Sequence, residues 1–191
     1  MLFQKNSLVV CLLLFLSIPL ITNGQTTERP NILIIMTDQQ TADAMSIAGN
    51  KDLHTPAMDK LAQNGVRFTK AYCAQPLCSP SRSAIMSGKM PHETGFIGNA
   101  PEKDGQWPED LLMMGKIFQN GGYKTGYVGK WHLPVPTAKK SQHGFEYIEN
   151  TDFQDYNDAA TPSFCARFIK ENKNTPFLLV ASFLNPHDLP C

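Results

Sequence analysis

Three short apolar runs constrain this chain more than any other feature, because each one ends abruptly in polar, ionisable residues. They are "NILIIMTD" (31–38), "YKTGYVGKWH" (123–132) and "PFLLVASFLNPHD" (176–188). A continuous apolar run of this length suits a strand buried on both faces, as in a parallel sheet. Helical patterns lie between the runs. "HTPAMDKLAQNG" has Thr55 as a cap, Pro56 at the first helical position and Gly65 as a stop. A helix is also expected from Ser79-Pro80 to Gly88, another over "PEDLLMMGKIFQNGG" opened by Pro108, and another over "TPSFCARFIKENK". "VRFTKAYC" (66–73) reads as a further strand. Strands alternating with helices define an α/β fold class with a largely parallel sheet flanked by helices.

The chain is ordinary in bulk: 191 residues, 42% hydrophobic, with 17 basic and 17 acidic side chains. The zero formal charge argues against nucleic acid as a partner, since phosphate contacts need a basic excess. The first 24 residues read as a signal peptide: Lys5, an apolar run from Leu8 to Ile21, then Thr22-Asn23-Gly24 before a cut near Gln25. Ser17 and Pro19 interrupt the run, which is short against the roughly 20 apolar residues of a bilayer span. The expectation is an exported protein, periplasmic or extracellular, with no stable membrane span once the signal is removed. Cys11 goes with that leader. Cys73, Cys78, Cys165 and Cys191 remain, and an oxidising compartment permits disulfides among them without fixing a pairing.

In open α/β sheets, ligands bind beyond the carboxyl ends of the strands. Asp38-Gln39, Lys130 with His132, and His187-Asp188 all follow strand-like runs, so they converge on one rim that the Cys78 loop can join. Singly, each has a plain structural role as a turn, cap or surface residue. Together they make an anion site. Arg82, Lys130 and the histidines supply cationic donors, and Asp38 and Gln39 supply oxygen ligands suited to Ca²⁺ or Mg²⁺. The helix start at Ser79-Pro80 adds backbone N–H groups that favour anions. A metal and basic groups around a tetrahedral anion stabilise sulfuryl or phosphoryl transfer. A thiol is a poor ligand for hard cations, which leaves Cys78 unexplained, and no close Cys/His pair has finger-like spacing, which argues against zinc.

In this order and spacing, "PNILIIMTDQQ", "HTPAMDKLAQNGVRFTKAYC", "CSPSRSAIMSG", "GKWHL" and "NPHD" resemble the successive N-terminal motifs of the type I, formylglycine-dependent sulfatases of the alkaline-phosphatase-like superfamily. The resemblance covers residues 29–191. It implies that Cys78, the cysteine of Cys-x-Pro-x-Arg, is oxidised during export to an aldehyde by a formylglycine-generating or sulfatase-maturating enzyme. Hydrated, that aldehyde is a geminal diol. One hydroxyl takes the sulfate, and proton loss from the other expels it, a second step that a thiol adduct lacks.

Carried over by position, Asp38, Gln39 and the converted Cys78 hold Ca²⁺, in preference to Mg²⁺. Arg82 holds the formylglycine, Lys130 contacts sulfate, His132 bonds the diol and acts as base, and His187 binds sulfate near the leaving oxygen. The implied substrate is a sulfate ester, by analogy of a sulfated carbohydrate. Gln39 stands where the family commonly has a second acid; it offers an amide oxygen but no charge, which tunes metal affinity downward. The family also carries further metal ligands and a sulfate-binding lysine beyond the last residue here. The resemblance therefore implies that residues 25–191 are the N-terminal part of a catalytic domain that is incomplete at the C-terminus, a fragment inactive alone. A phosphoester or phosphonate hydrolase of the same superfamily, or a truncated non-catalytic product binding sulfated glycans, are the alternatives.

Overall fold

The computed structural model describes residues 29–99, 107–149 and 158–187. In chain order the strands are β1 (Ile32–Met36), β2 (Lys124–Gly129), β3 (Tyr147–Glu149) and β4 (Phe177–Ser182). The helices are α1 (Pro56–Asn64), α2 (Cys78–Ser87), α3 (Pro91–Thr94), α4 (Met114–Asn120), α5 (Lys140–His143) and α6 (Thr161–Asn172). The four strands form one sheet in the order β1-β4-β2-β3, and every pairing is parallel. This is the fold class expected, and the parallel arrangement sends every carboxyl end to the same rim.

The central strand β4 is buried along its whole length because both faces of the sheet are covered there. Leu178 and Val180 face one core with Met86 of α2, Met113, Tyr127, Trp131 and Phe145. Their neighbours Phe177, Leu179 and Ala181 face a second core with Cys165 and Phe168 of α6. Alternation of side chains along a strand accounts for the split. The first core is braced by aromatic edges, with Tyr127 and Trp131 ring centroids 4.8 Å apart.

Four expectations need correction. Strand β1 is parallel but not buried on both faces. It is bonded within the described residues only to β4, so Ile32, Ile34 and Met36 pack inward while Leu33 and Ile35 remain 47% and 55% exposed. Residues 66–73 form no strand. A strand needs a neighbour to accept its ladder, and none of the described strands reaches this segment, where Val66, Phe68 and Tyr72 are exposed. The helix expected from Pro108 begins only at Met114. Trp107 Nε1 donates to Leu111 O at 2.7 Å and Leu111 N to Pro108 O at 3.1 Å, closing a turn that drives Met113 fully into the core. Thr55 stands at the start of α1 without capping it, its hydroxyl bonding Ser46 and Asp59 instead.

Candidate active site

Helix α2 begins at Cys78, one residue before the expected start, and ends at Gly88, whose φ of 68° provides the left-handed turn that closes it. Cys78 and Arg82 are four residues apart and so share one helix face. That face meets the carboxyl ends of β1, β2 and β4. Arg82 is only 5% exposed and its guanidinium is fully engaged. Its Nη2 donates to Asp38 Oδ2 at 2.8 Å, and its Nη1 to Lys130 O at 2.7 Å, Ser182 Oγ at 2.8 Å and Tyr127 Oη at 3.2 Å. One side chain therefore ties together the ends of three strands.

Asp38 is the hub. Lys130 Nζ lies 2.8 Å from the same Oδ2 that Arg82 holds, and both basic groups are buried. The other oxygen, Oδ1, faces Cys78, with Sγ 3.7 Å away. Lys130 Nζ is 3.6 Å from that sulfur. Burial would push the Asp38 carboxyl up, but the hydrogen bonds and positive charges of Lys130 and Arg82 hold it below the ordinary value of 3.8. One carboxylate between two cations leaves the cluster with an excess positive charge, suited to an anion.

The backbone that presents Lys130 depends on Gly129. Its φ is 99°, and a Cβ there would fall on the carbonyl oxygen of Ser182. That close approach lets Lys130 N donate to Ser182 O at 2.9 Å. Gln39 and His132 also have positive φ, 61° and 44°, conformations that non-glycine residues adopt rarely and mostly at functional sites. His187 sits on the turn after β4. Asp158 fixes that turn by accepting from Leu184 N and Asn185 N, each at 2.8 Å, and from Asn185 Nδ2 at 2.9 Å.

A cavity of about 790 Å³ opens over the cluster, lined by Asp38, Gln39, Cys78, Arg82, Asn99 and His187 among others. Asp38, Cys78 and His187 bring one donor atom each to within 4.8 Å of one another, a group able to hold a metal ion. The structure thus brings together Asp38, Cys78, Arg82, Lys130 and His187, with Gln39 on the cavity wall. His132 is tied to the cluster through its carbonyl, which accepts from Ser79 Oγ at 3.1 Å, and its ring is not among the groups lining the cavity. The helix start offers fewer backbone donors than expected: Ser79 N is taken by Asn99 Oδ1 at 3.0 Å, Ser81 N by Leu77 O, and Pro80 has none. Cys73, Cys78 and Cys165 are all free thiols. Asp188 and Cys191 lie outside the described residues, as do the leader and Cys11.

Sequence reasoning missed Tyr127, Ser182, Asn99 and Asp158, which position the cluster. Ser182 had one visible signal, a hydroxyl ending an otherwise apolar run. Asp158 had none, because its partners lie 26 and 27 residues away.

A parallel sheet with a buried basic cluster, a cysteine at a helix start and three side chains able to hold a metal ion at its carboxyl rim is the frame found in sulfatases of the alkaline-phosphatase-like superfamily. The chain belongs to the sulfatase family, whose model matches residues 30–191. It is 43% identical over 109 residues to the N-acetylglucosamine-6-O-sulfatase of Bacteroides thetaiotaomicron, covering 57% of this chain and 19% of that protein. It is 34% identical over 186 residues to the ulvan-active sulfatase of Formosa agariphila, covering 83% of this chain and 36% of the relative. Among solved structures, a protein in complex with its substrate D-glucosamine-2-N,6-O-disulfate superposes with a TM-score of 0.72 at 34% identity, over 84% of this chain and 35% of that one. The chain thus spans between about a fifth and a little over a third of the length of these relatives. Among the described residues no helix is long and apolar enough to cross a membrane.

Proposed function

We propose that this chain supplies the nucleophile, part of the metal site and part of the sulfate site of an exported sulfatase that hydrolyses sulfate esters of carbohydrates. The observation that carries the reading is the buried Asp38 carboxylate, gripped by Arg82 and Lys130 on one oxygen and turned toward Cys78 with the other. The sulfated sugars named with its relatives support the substrate class.

In this reading Cys78 is converted by a maturating enzyme to formylglycine, which when hydrated supplies an oxygen nucleophile. The donor chemistry fits a hard cation: Asp38 Oδ1, the Gln39 amide oxygen and the oxygen that replaces sulfur at position 78 would hold Ca²⁺, whose charge polarises the sulfate ester. Lys130, 3.6 Å from Sγ, reaches the place where charge develops on the transferring group. Arg82 fixes the helix face so that the nucleophile points into the cavity. The family position of His132 is that of the base for the hydrated group, though its ring lies off the cavity lining, and His187 delivers a proton to the leaving oxygen. The leader directs the protein to the compartment where oxidation occurs.

Mass analysis of the Cys78 peptide from the native exporting cell tests this. An aldehyde supports the reading, and an unmodified thiol or a disulfide sinks it. Sulfate and phosphate esters with the same leaving group, compared with the full-length protein, then test the choice of anion. Faster turnover of the phosphate ester would reassign the enzyme to phosphoester hydrolysis.

A further inference from the structure

We infer that the unconverted, thiol form of this chain carries a zinc site made by Asp38, Cys78 and His187. Their donor atoms, a carboxylate oxygen, a sulfur and a ring nitrogen, lie within 4.8 Å of one another. Ligands on a tetrahedral zinc, with bonds of about 2.0–2.3 Å, stand about 3.3–3.6 Å apart. The Asp38 Oδ1 to Cys78 Sγ distance is already 3.7 Å. The two remaining sides, both to His187, are no longer than 4.8 Å and close on the turn that Asp158 holds.

The donor types decide which metal. Sulfur with nitrogen and one oxygen is a borderline set that selects zinc and its neighbours in the first transition row, whereas Ca²⁺ takes oxygen alone. No short sequence spacing announces the site, because Asp38 and His187 come from opposite ends of the described chain and meet only through the sheet. Three protein ligands leave a fourth position open toward the cavity, as in sites that take water or an anion.

The groups behind the ligands act in both directions. Arg82 and Lys130 occupy Oδ2 and so orient Oδ1 toward the metal position. Lys130 Nζ also lies within donor range of the sulfur, 3.6 Å away, and an N–H directed at a bound thiolate stabilises it. Their positive charges oppose a dication, so the site is weaker than a closed structural one. Binding exchanges the thiol proton for the metal, releasing one proton to solvent for each ion taken up. Only the thiol form carries the site, in the chain before any oxidation of Cys78. Conversion replaces sulfur by oxygen and removes the preference for zinc.

The test uses the reduced protein as the cell makes it, without its leader, from a host without maturating enzymes, with the Cys78 thiol verified by mass. Titration with Co²⁺ is expected to give a thiolate-to-cobalt charge-transfer band at one ion per chain, displaced by Zn²⁺. The band should vanish in Cys78→Ser, require at least about tenfold more cobalt in His187→Ala, and persist in Cys73→Ser and Cys165→Ser. Circular dichroism checks the fold of each variant, and His187→Ala decides the matter if Cys78→Ser does not fold. No band on the folded chain, a band that survives Cys78→Ser, or an unchanged affinity in His187→Ala overturns the proposal. The sulfatase reading is judged separately, by the aldehyde in the exporting cell, so either can fail alone.

Discussion

Lys130 Nζ stands 2.8 Å from Asp38 Oδ2, although the strands that precede these residues are separated in the sheet by β4. The contact crosses the carboxyl end of the central strand, with Arg82 reaching the same oxygen from the helix above. Two buried cations on one carboxylate make Asp38 the structural counter-ion of the cluster.

Removing that counter-ion leaves Lys130 and Arg82 buried without charge compensation. Asp38→Ala is therefore expected to cost about 3–5 kcal/mol in urea unfolding, and Asp38→Asn less, since the amide oxygen still accepts. The folded-state pKa of Asp38 lies below its unfolded value. Its stabilisation is thus complete above the ordinary 3.8 and disappears as pH falls through the lower folded value. Unfolding curves of wild type and Asp38→Asn should converge only in that acid range.

His143 provides a second, milder acid response. Its Nδ1 accepts from Phe145 N at 3.0 Å, so Nε2 carries the proton toward Thr137 O, and no lone pair remains for a second proton. Burial lowers its pKa from 6.5, outweighing the backbone bond that raises it. A depressed value means the stabilisation is complete above 6.5 and declines as pH falls toward the folded value. Stability should drop as pH falls below 6.5, with a slope well under the about 1.4 kcal/mol per pH unit of a full one-proton difference. His143→Gln should flatten that slope whatever its effect at neutral pH.

Gly129→Ala combines a left-handed backbone with a Cβ placed on Ser182 O. The expected loss exceeds about 2 kcal/mol, from the conformation and the steric clash together. Thermal unfolding measures it, and a loss below 1 kcal/mol would show that the backbone relaxes there.

Asp158→Ala should release the turn that carries His187. Three hydrogen bonds to a carboxylate are lost, for about 2 kcal/mol in all at this half-buried position. Hydrogen exchange at the Leu184 and Asn185 amides reads the effect directly. Unchanged protection there would remove Asp158 from the positioning of His187.

In the full-length protein, Lys130→Met should lower kcat for sulfate-ester hydrolysis by about 100- to 1,000-fold, the range for losing one donor to developing charge. A change in KM alone would assign Lys130 to ground-state binding.

The sequence by itself determined the parallel α/β class, since apolar runs that end in polar residues can be buried on a sheet and still deliver their last side chains to one rim. It also made five members of the cluster legible, because Asp38, Cys78, Arg82, Lys130 and His187 each stand at or near a strand end or helix start, while Tyr127, Ser182, Asn99 and Asp158 did not show themselves. Tertiary structure alone decided which segments pair among the described residues. There, residues 66–73 have strand-like composition but no strand neighbour, and β1 is bonded only to β4, because a ladder is a property of pairs. It also decided the donors' partners: which oxygen of Asp38 meets the cations, which hydroxyls hold Arg82, and that Asp158 anchors the His187 turn. It brought the His187 nitrogen within 4.8 Å of the Asp38 and Cys78 donors, where the sequence had set only Gln39 beside them. Those relations join residues far apart in the chain, and the packed sheet is what brings them within bonding distance.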